Sequence, residues 1–271
     1  MEFPRHVAEL ERRRPLSSPR ALDNLVVLSS VPSTNLLAKG IALDYETEGL
    51  ALLPLLILAW EQSAGRGRQG RSWSSPAGRG VYATLVVPVA DPGLLGGLPL
   101  LVGTGLCRAL APHLTAPCRL KWPNDLLVDA DPGDASRRRK IGGILIESLI
   151  RPGEPPVALV GFGVNHGQEQ EELPPGATSL HLQGNDRVTL ADLTWDLVGA
   201  VERELEHLGD TAYAVASYRE LIVHRPGERL VCQAGGEVIE GRFLGIGELG
   251  HLRIDCGGRE RTLAAGEVIE S

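Results

Sequence analysis

Between two apolar runs of strand length, residues 55–60 and 81–89, lies a segment that fits neither a strand nor a helix. Residues 65–80 hold five glycines and four arginines. Glycine weakens a regular element because it loses the most backbone freedom on folding. Four guanidinium groups this close together are not buried without partners. The chain must leave its core here as a long loop and re-enter as a strand. Within residues 65–73, GRGRQGRSW, the glycines Gly65, Gly67 and Gly70 let backbone N–H groups approach a ligand closely. Arg66, Arg68 and Arg71 add forked donors of fixed charge. The combination describes a cradle for phosphate or carboxylate. By itself it equally describes a solvated or RNA-touching loop. It is not a P-loop, which needs G-x-x-x-x-G-K-[ST], and its G-x-G-x-x-G spacing does not open a helix as a dinucleotide fingerprint would.

The rest of the chain supplies the frame. A short helix is predicted over 5–14, stopped near Pro15, then a loop at 17–19 and a strand at 25–28. Ser33, Thr34 and Asn35 precede Leu36, Leu37 and Ala38 as a helix start. A buried helix is predicted over 93–114, and short strands at 119–122 and 126–128. Residues 130–139, ADPGDASRRR, are polar and turn-rich, which predicts an exposed, disordered hairpin tip. Residues 141–150 and 157–164 are apolar runs of strand length. The clearest helix is 189–208: Thr189 and Asp192 make a capping-box-like start, Leu190, Leu193, Leu197, Val201, Leu205 and Leu208 follow helical spacing, and Gly209 ends it. Another helix follows at 212–221. After Arg225, Pro226 and Gly227 the texture changes to about five short strands separated by Gly turns, which predicts a small β-barrel. The fold class is therefore α+β: a mixed-sheet domain followed by that barrel.

Composition removes some functions. The formal charge of −7 argues against general nucleic-acid binding, which needs a basic surface. Cys107, Cys118, Cys232 and Cys256 form no C-x-x-C pair and have no histidine at metal-ligand spacing, so they read as reduced thiols. The charged opening, with Arg12, Arg13 and Arg14, carries no secretory signal. The longest apolar run read from the sequence, 50–60, is interrupted by Pro54 and falls short of the roughly 20 residues of a spanning helix. The expectation is a cytoplasmic protein that binds no membrane.

Four more segments carry chemistry. In Lys121-Trp122-Pro123-Asn124-Asp125, Asn124 and Asp125 are hard oxygen ligands suited to Mg²⁺, and Lys121 can balance phosphate charge; the alternative is a strand followed by an Asn-Asp turn. Lys140 precedes Gly142, Gly143 and a buried strand, where it can bridge a carboxylate and an α-phosphate, or simply end a solvated basic run at 137–139. Gly161 and Gly163 alternate in a strand, which suggests a close neighbour or a ligand, with Asn165 offering donor and acceptor. Ser33, Thr34 and Asn35 can hold a neutral polar group or cap a helix, and local evidence favours the cap.

Taken in order, S-T-N, Q-x-A-G-R-G-R-x-G-R-x-W, K-W-P-N-D, K-x-G-G-I-L-x-E and G-x-G-x-N resemble the biotin–protein ligase family, from about Val26 to Ser271. The resemblance implies a catalytic domain of the class shared with lipoate–protein ligases over 25–224, an SH3-like domain over 225–271, and an N-terminal arm over 1–24. That arm has room for one helix, so the chain resembles the enzyme-only form rather than members with an N-terminal DNA-binding winged helix. The implied reaction joins biotin and ATP, with Mg²⁺, into biotinyl-5′-adenylate. Biotin then passes to one lysine of a carboxylase's biotin carboxyl carrier domain. Ser33, Thr34, Asn35 and Gln62 are implied to hold the biotin ring. Arg66, Gly67 and Arg68 are implied to close over biotin and the adenylate phosphate, and Lys140 to contact the carboxyl oxygen and phosphate; Arg66, Arg68 and Lys140 are the implied catalytic groups. Trp73 is implied to stack on adenine, with Lys121, Asn124, Asp125 and Asn165 on the nucleotide and metal side. His166 departs from the small apolar residue usual after that Asn. The family also implies dimers through sheet edges, with no edge legible from spacing, and a loop 65–73 that is mobile without ligand. A lipoate or octanoate transferase would lack the 65–73 pattern, and a non-catalytic biotin-binding regulator would not need Lys140.

Overall fold

Alternation along the central strand decides the architecture. In β7 (Val157–Asn165), Ala158, Val160, Phe162 and Val164 join one core cluster, whereas Val157 and Leu159 join another. A strand buried on both faces must be covered on both. The computed structural model, which describes residues 2–15, 24–130, 134–150 and 154–270, shows how. Seven strands form one sheet in the order β1 (Leu25–Leu28), β2 (Leu55–Ala59), β3 (Gly80–Pro88), β7, β6 (Arg138–Leu149), β5 (Asp125–Asp129) and β4 (Cys118–Lys121). Only β1 and β2 pair in parallel; every other neighbour is antiparallel. This is the expected mixed sheet.

Helix α3 (Leu98–Leu110) and helix α4 (Leu190–Leu205) build the larger core with one face of the sheet. Thr189 caps α4 as expected: its Oγ1 accepts from the Asp192 N–H, and Gly209 follows with φ +108. Helix α2 (Thr34–Thr47) lies on the opposite face, over β7, β3 and β2. Helix α5 (Thr211–Leu221) leads into residues 222 and 223, and the Val223 N–H donates to the Leu120 carbonyl, covering the edge of β4. The second sheet is antiparallel, in the order β11 (Glu260–Leu263), β10 (Leu252–Asp255), β9 (Glu237–Ile246), β8 (Arg229–Ala234) and β12 (Glu267–Glu270), as an SH3-like domain requires.

The N-terminal helix α1 (Phe3–Arg13) packs on α4: Leu10 is fully buried, its carbonyl accepts from Trp195 Nε1 at 2.9 Å, and Arg13 pairs with Asp192. The loop predicted at 17–19 lies outside the described residues. The hairpin tip is shorter than predicted, because Arg138 already pairs with Asp129 in the ladder and its side chain tucks against Asp129 and Glu228, at 3.4 and 3.8 Å. Residues 131–133, in the middle of the predicted disordered tip, lie outside the described residues. Among the described residues, the helical stretch Pro92–His113 is long and apolar enough by composition to cross a membrane. Here its residues Leu98, Leu101, Leu106 and Leu110 are fully or almost fully buried in the core. Cys107, Cys118 and Cys232 are buried free thiols, and a hydrogen bond to Cys107, with burial, pushes the Cys118 thiol well up.

Gly105 sets the approach of α3 to α4, since a Cβ there would lie 2.9 Å from the Ala200 carbonyl oxygen. Gly105→Ala should destabilise the fold by about 1–3 kcal/mol through overpacking. Gly40→Ala, on the open face of α2, should stabilise it by about 0.5–1 kcal/mol. Urea unfolding of the two variants checks both signs.

Candidate active site

The cleft begins where the sheet lacks side chains. On the α2 face, Thr84, Gly161 and Leu145 lie side by side across β3, β7 and β6, and Tyr82, Gly163 and Gly143 form the next row. A Cβ at Gly161 would run into the Asn35 amide, and one at Gly163 would meet Trp73 Nε1 at 2.5 Å. The two glycines therefore let Asn35 and Trp73 lie directly on backbone.

Asn35 belongs to the polar end. Ser33 is the residue preceding α2, but its side chain makes no capping bond, so the capping reading of Ser33, Thr34 and Asn35 does not hold. All three are buried and line the cleft. The Thr34 N–H donates to Gln62 Oε1 at 2.9 Å, and Gln62 Nε2 donates to Ser75 Oγ at 2.8 Å. Asn35 Nδ2 donates to the Leu145 carbonyl at 3.1 Å and to Glu147 Oε2 at 3.0 Å.

The cationic end is assembled from loop 65–73 and β6. Lys140 Nζ sits 2.6 Å from Asp125 Oδ1 and 5.5 Å from the centroid of the Trp73 ring, within cation–π reach. The Lys140 N–H donates to the Gly176 carbonyl and the Thr178 N–H donates to the Lys140 carbonyl, so a passing segment fixes the backbone that carries the ammonium. Arg66 lies 3.4 Å from Glu147 Oε1. Arg68 donates to Asn124 Oδ1 and to the Gly266 carbonyl, both at 3.2 Å. Arg71 makes a forked pair with Glu267 at 2.8 and 2.7 Å. Burial would raise the Glu267 carboxyl, but the Arg71 hydrogen bond and charge, with Lys121 and Lys140 behind, hold it below the usual range. The same bond raises Arg71.

The cleft, about 700 Å³ with its mouth, is lined by Ser33, Thr34, Asn35, Gln62, Arg66, Gly67, Arg68, Trp73, Asn124, Asp125 and Lys140, all anticipated from the sequence. Lys121 and Asn165 do not line it. Lys121 ends β4 beside Asp125, and Asn165 is buried, donating to the Thr178 carbonyl and accepting from Gln168. His166 turns away to the Val188 carbonyl at 2.9 Å, and burial lowers its pKa. Sequence reasoning missed Thr84, Glu147 as a partner, and Glu267. A lone threonine in the run YATLVV was the only signal for the first.

A mixed sheet carrying a Gly/Arg loop over a cleft lined by neutral and cationic groups is the architecture of a ligase that holds a substrate with an uncharged part and an anionic part. The comparisons agree. Residues 30–165 match the biotin/lipoate A/B protein ligase family. The chain is 29% identical to the biotin–[acetyl-CoA-carboxylase] ligase of Mycobacterium tuberculosis, over 97% of this chain and 99% of that protein. It is 31% identical to the enzyme of that name from Paracoccus denitrificans, over 82% and 94%. The biotin protein ligase of Aquifex aeolicus, solved with biotin and ATP, superposes with a TM-score of 0.70 at 25% identity, over 90% of this chain and 97% of that one. The chain belongs to the biotin/lipoate A/B protein ligase family.

The staple between Arg71 and Glu267 should govern loop exposure. Glu267→Ala should speed tryptic cleavage after Arg66, Arg68 and Arg71 several-fold, while biotin with ATP slows it in the unchanged protein. The loss should be local, since a half-exposed ion pair contributes about 0–1 kcal/mol. Because the Glu267 pKa is lowered, the staple is complete above the ordinary carboxylate range and is lost only as pH falls through the lowered value. Trp73 emission should stay flat from pH 7 down to about 5. A change within that window would separate the loop from Glu267.

Proposed function

We infer that this chain is an ATP-dependent biotin–protein ligase that forms biotinyl-5′-AMP and transfers biotin to a lysine of a carrier protein. The observation that carries this is the polarity of one cleft. Neutral hydrogen-bonding groups at Ser33, Thr34, Asn35 and Gln62 line one part of it, Arg68 and Lys140 line another beside Asn124 and Asp125, and Arg66 lies between, sharing Glu147 with Asn35. A substrate with an uncharged ureido ring and a terminal carboxylate matches that division. The relatives carrying the ligase name, and the biotin and ATP bound in the Aquifex aeolicus structure, support it further.

The chemistry follows from charge. The biotin carboxylate oxygen attacks the α-phosphorus of ATP, a P–O bond forms, and the bond to pyrophosphate breaks. Two anions about 4 Å apart repel by about 4 kcal/mol at an effective dielectric of about 20. Arg66, Arg68 and Lys140 offset that repulsion by position and charge rather than by covalent participation. Lys140 exchanges Asp125 for the incoming anions. In the second step a carrier lysine amine attacks the acyl carbon and AMP leaves. Loop 65–73 keeps water from the mixed anhydride between the steps.

Mg²⁺ fits the donor set. Among the described residues, Asp125 is the one carboxylate lining the cleft, Asn124 stands beside it, and no cluster of three His, Cys, Asp or Glu ligands occurs. Such a site suits an ion that keeps its waters and shares one carboxylate with phosphates. Asp125 and Asn124 would hold it, and when bound it neutralises the leaving pyrophosphate. Trp73, which lines the cleft, would stack on adenine; Lys121 and Asn165, which do not line it, would act on the nucleotide only through their neighbours.

The finer reading has a carboxylase's biotin carboxyl carrier domain as acceptor, in the cytoplasm, where buried free thiols stay reduced. It divides the chain into 1–24, a catalytic domain over 25–224 and an SH3-like domain over 225–271. A homodimer would use β1, which pairs with β2 alone among the described strands.

Labelled ATP should release pyrophosphate only when biotin is present; release without biotin dependence, or with lipoate instead, overturns the reading. Lys140→Ala should lower adenylate formation on the order of 10²–10³-fold without moving the unfolding midpoint. Arg68→Gly removes the contacts to Asn124 and Gly266. It should let adenylate escape, seen as lysine biotinylation of a bystander protein such as albumin.

A further inference from the structure

The polar end of the cleft is wired to backbone groups whose polarity cannot change. Both N–H groups of the Asn35 amide are consumed by the Leu145 carbonyl and Glu147 Oε2, so its Oδ1 faces Thr84. An amide oxygen cannot donate, so the Thr84 hydroxyl donates to it, at 2.6 Å. Having spent its one proton, Thr84 Oγ1 can only accept from Thr34 Oγ1, 2.8 Å away. The Thr34 proton therefore points inward and its lone pairs outward. The competing acceptor, Gln62 Oε1, is farther from that hydroxyl at 3.2 Å and already takes the Thr34 N–H. Gln62 is oriented in turn: its Nε2 donates to Ser75 Oγ, whose hydroxyl donates to the Trp73 carbonyl.

The result leaves Thr34 Oγ1 and Gln62 Oε1, both on cleft-lining residues, as acceptors, while Asn35 Oδ1 is turned onto Thr84 and Gly161 and serves to set the Thr84 proton. Thr84 is completely buried, does not line the cleft, and has no part in the reaction described above. We propose that Thr84 is a specificity-determining positioning residue, setting the pocket to accept hydrogen bonds from a ring that presents N–H donors. A site built this way rejects a ring without those donors, because its acceptors are then buried without partners. The proposal deepens the biotin reading and rests on it.

Thr84→Val keeps the shape and removes both hydrogen bonds. Its KM for biotin should rise roughly tenfold or more while KM for ATP and kcat stay within about twofold. Thr84→Ser should restore the wild-type KM. Preference for biotin over its ureido N-methylated analogue should fall in the Val variant by a similar factor. An unchanged KM and an unchanged preference in Thr84→Val overturn the proposal, and so does an equal change in the KM values for biotin and ATP. Should Thr84→Val not fold, Thr84→Cys keeps the volume with a weaker donor. An intermediate KM for biotin is then expected, and a wild-type value overturns the proposal. Biotin-dependent pyrophosphate release by the unchanged protein is measured first. Its absence removes the ligase reading itself, independently of any variant at Thr84.

Discussion

Everything in the cleft depends on two positions in β7 where the sheet carries no side chain. Gly161 and Gly163 point to the α2 side, the face that Val157 and Leu159 fill further along the strand. Removing two side chains from the middle of a close-packed layer leaves room that something must fill. Asn35 fills one place from the start of a helix, and Trp73 the other from the end of a loop. One absence in a strand thus brings together residues from α2, β3, β6 and the Gly/Arg loop. It also fixes the spacing between the neutral and cationic ends, because Gly161 and Gly163 are one strand repeat apart.

The cations of the site are never left alone. Arg66 is matched by Glu147, Lys140 by Asp125, and Arg71 by Glu267. A group of like charges in a concave site would otherwise repel and splay the loop. Held by the chain's own carboxylates, they keep their places, and binding becomes an exchange of anionic partner rather than a new ordering of long side chains. The exchange lowers net affinity for each anion, since a favourable contact is given up. It limits the entropy cost of assembling the site.

Much of this was legible in the chain. The strands at 25–28, 81–89 and 157–164, the capped helix starting after Thr189, and the barrel-like end after Gly227 all follow from periodicity and punctuation. Eleven cleft-lining residues were anticipated because the family pattern names them in order. What escaped has a common cause: it lies in contacts between distant segments. Thr84 and Thr34 are 50 residues apart, and Arg71 and Glu267 are 196 apart, and no local pattern records either pair. Ser33, Thr34 and Asn35 read locally as a cap because the sequence cannot say that a glycine strand opens a pocket beneath them. Arg138 reads as solvated because its partners, Asp129 and Glu228, come from a strand and from the SH3-like domain.

The two ends of the cleft differ in how they are held. At the neutral end, Asn35, Thr34 and Thr84 are buried and tied to a strand carbonyl and to one another. Rotating any of them strands a buried polar group, which costs about 1–3 kcal/mol. On the loop, Arg66, which shares Glu147 with Asn35, and Arg71 are about half exposed, and their ion pairs are cheap to exchange. A rigid end recognises before it adapts, whereas an exchangeable end responds to what has bound. On the proposed function, the uncharged ring would meet a fixed pattern of acceptors, and its carboxylate would draw Arg66 and Lys140 away from Glu147 and Asp125. Arg68 and Arg71 reach the SH3-like domain through Gly266 and Glu267, so the loop's position when it meets that carboxylate is set by both domains.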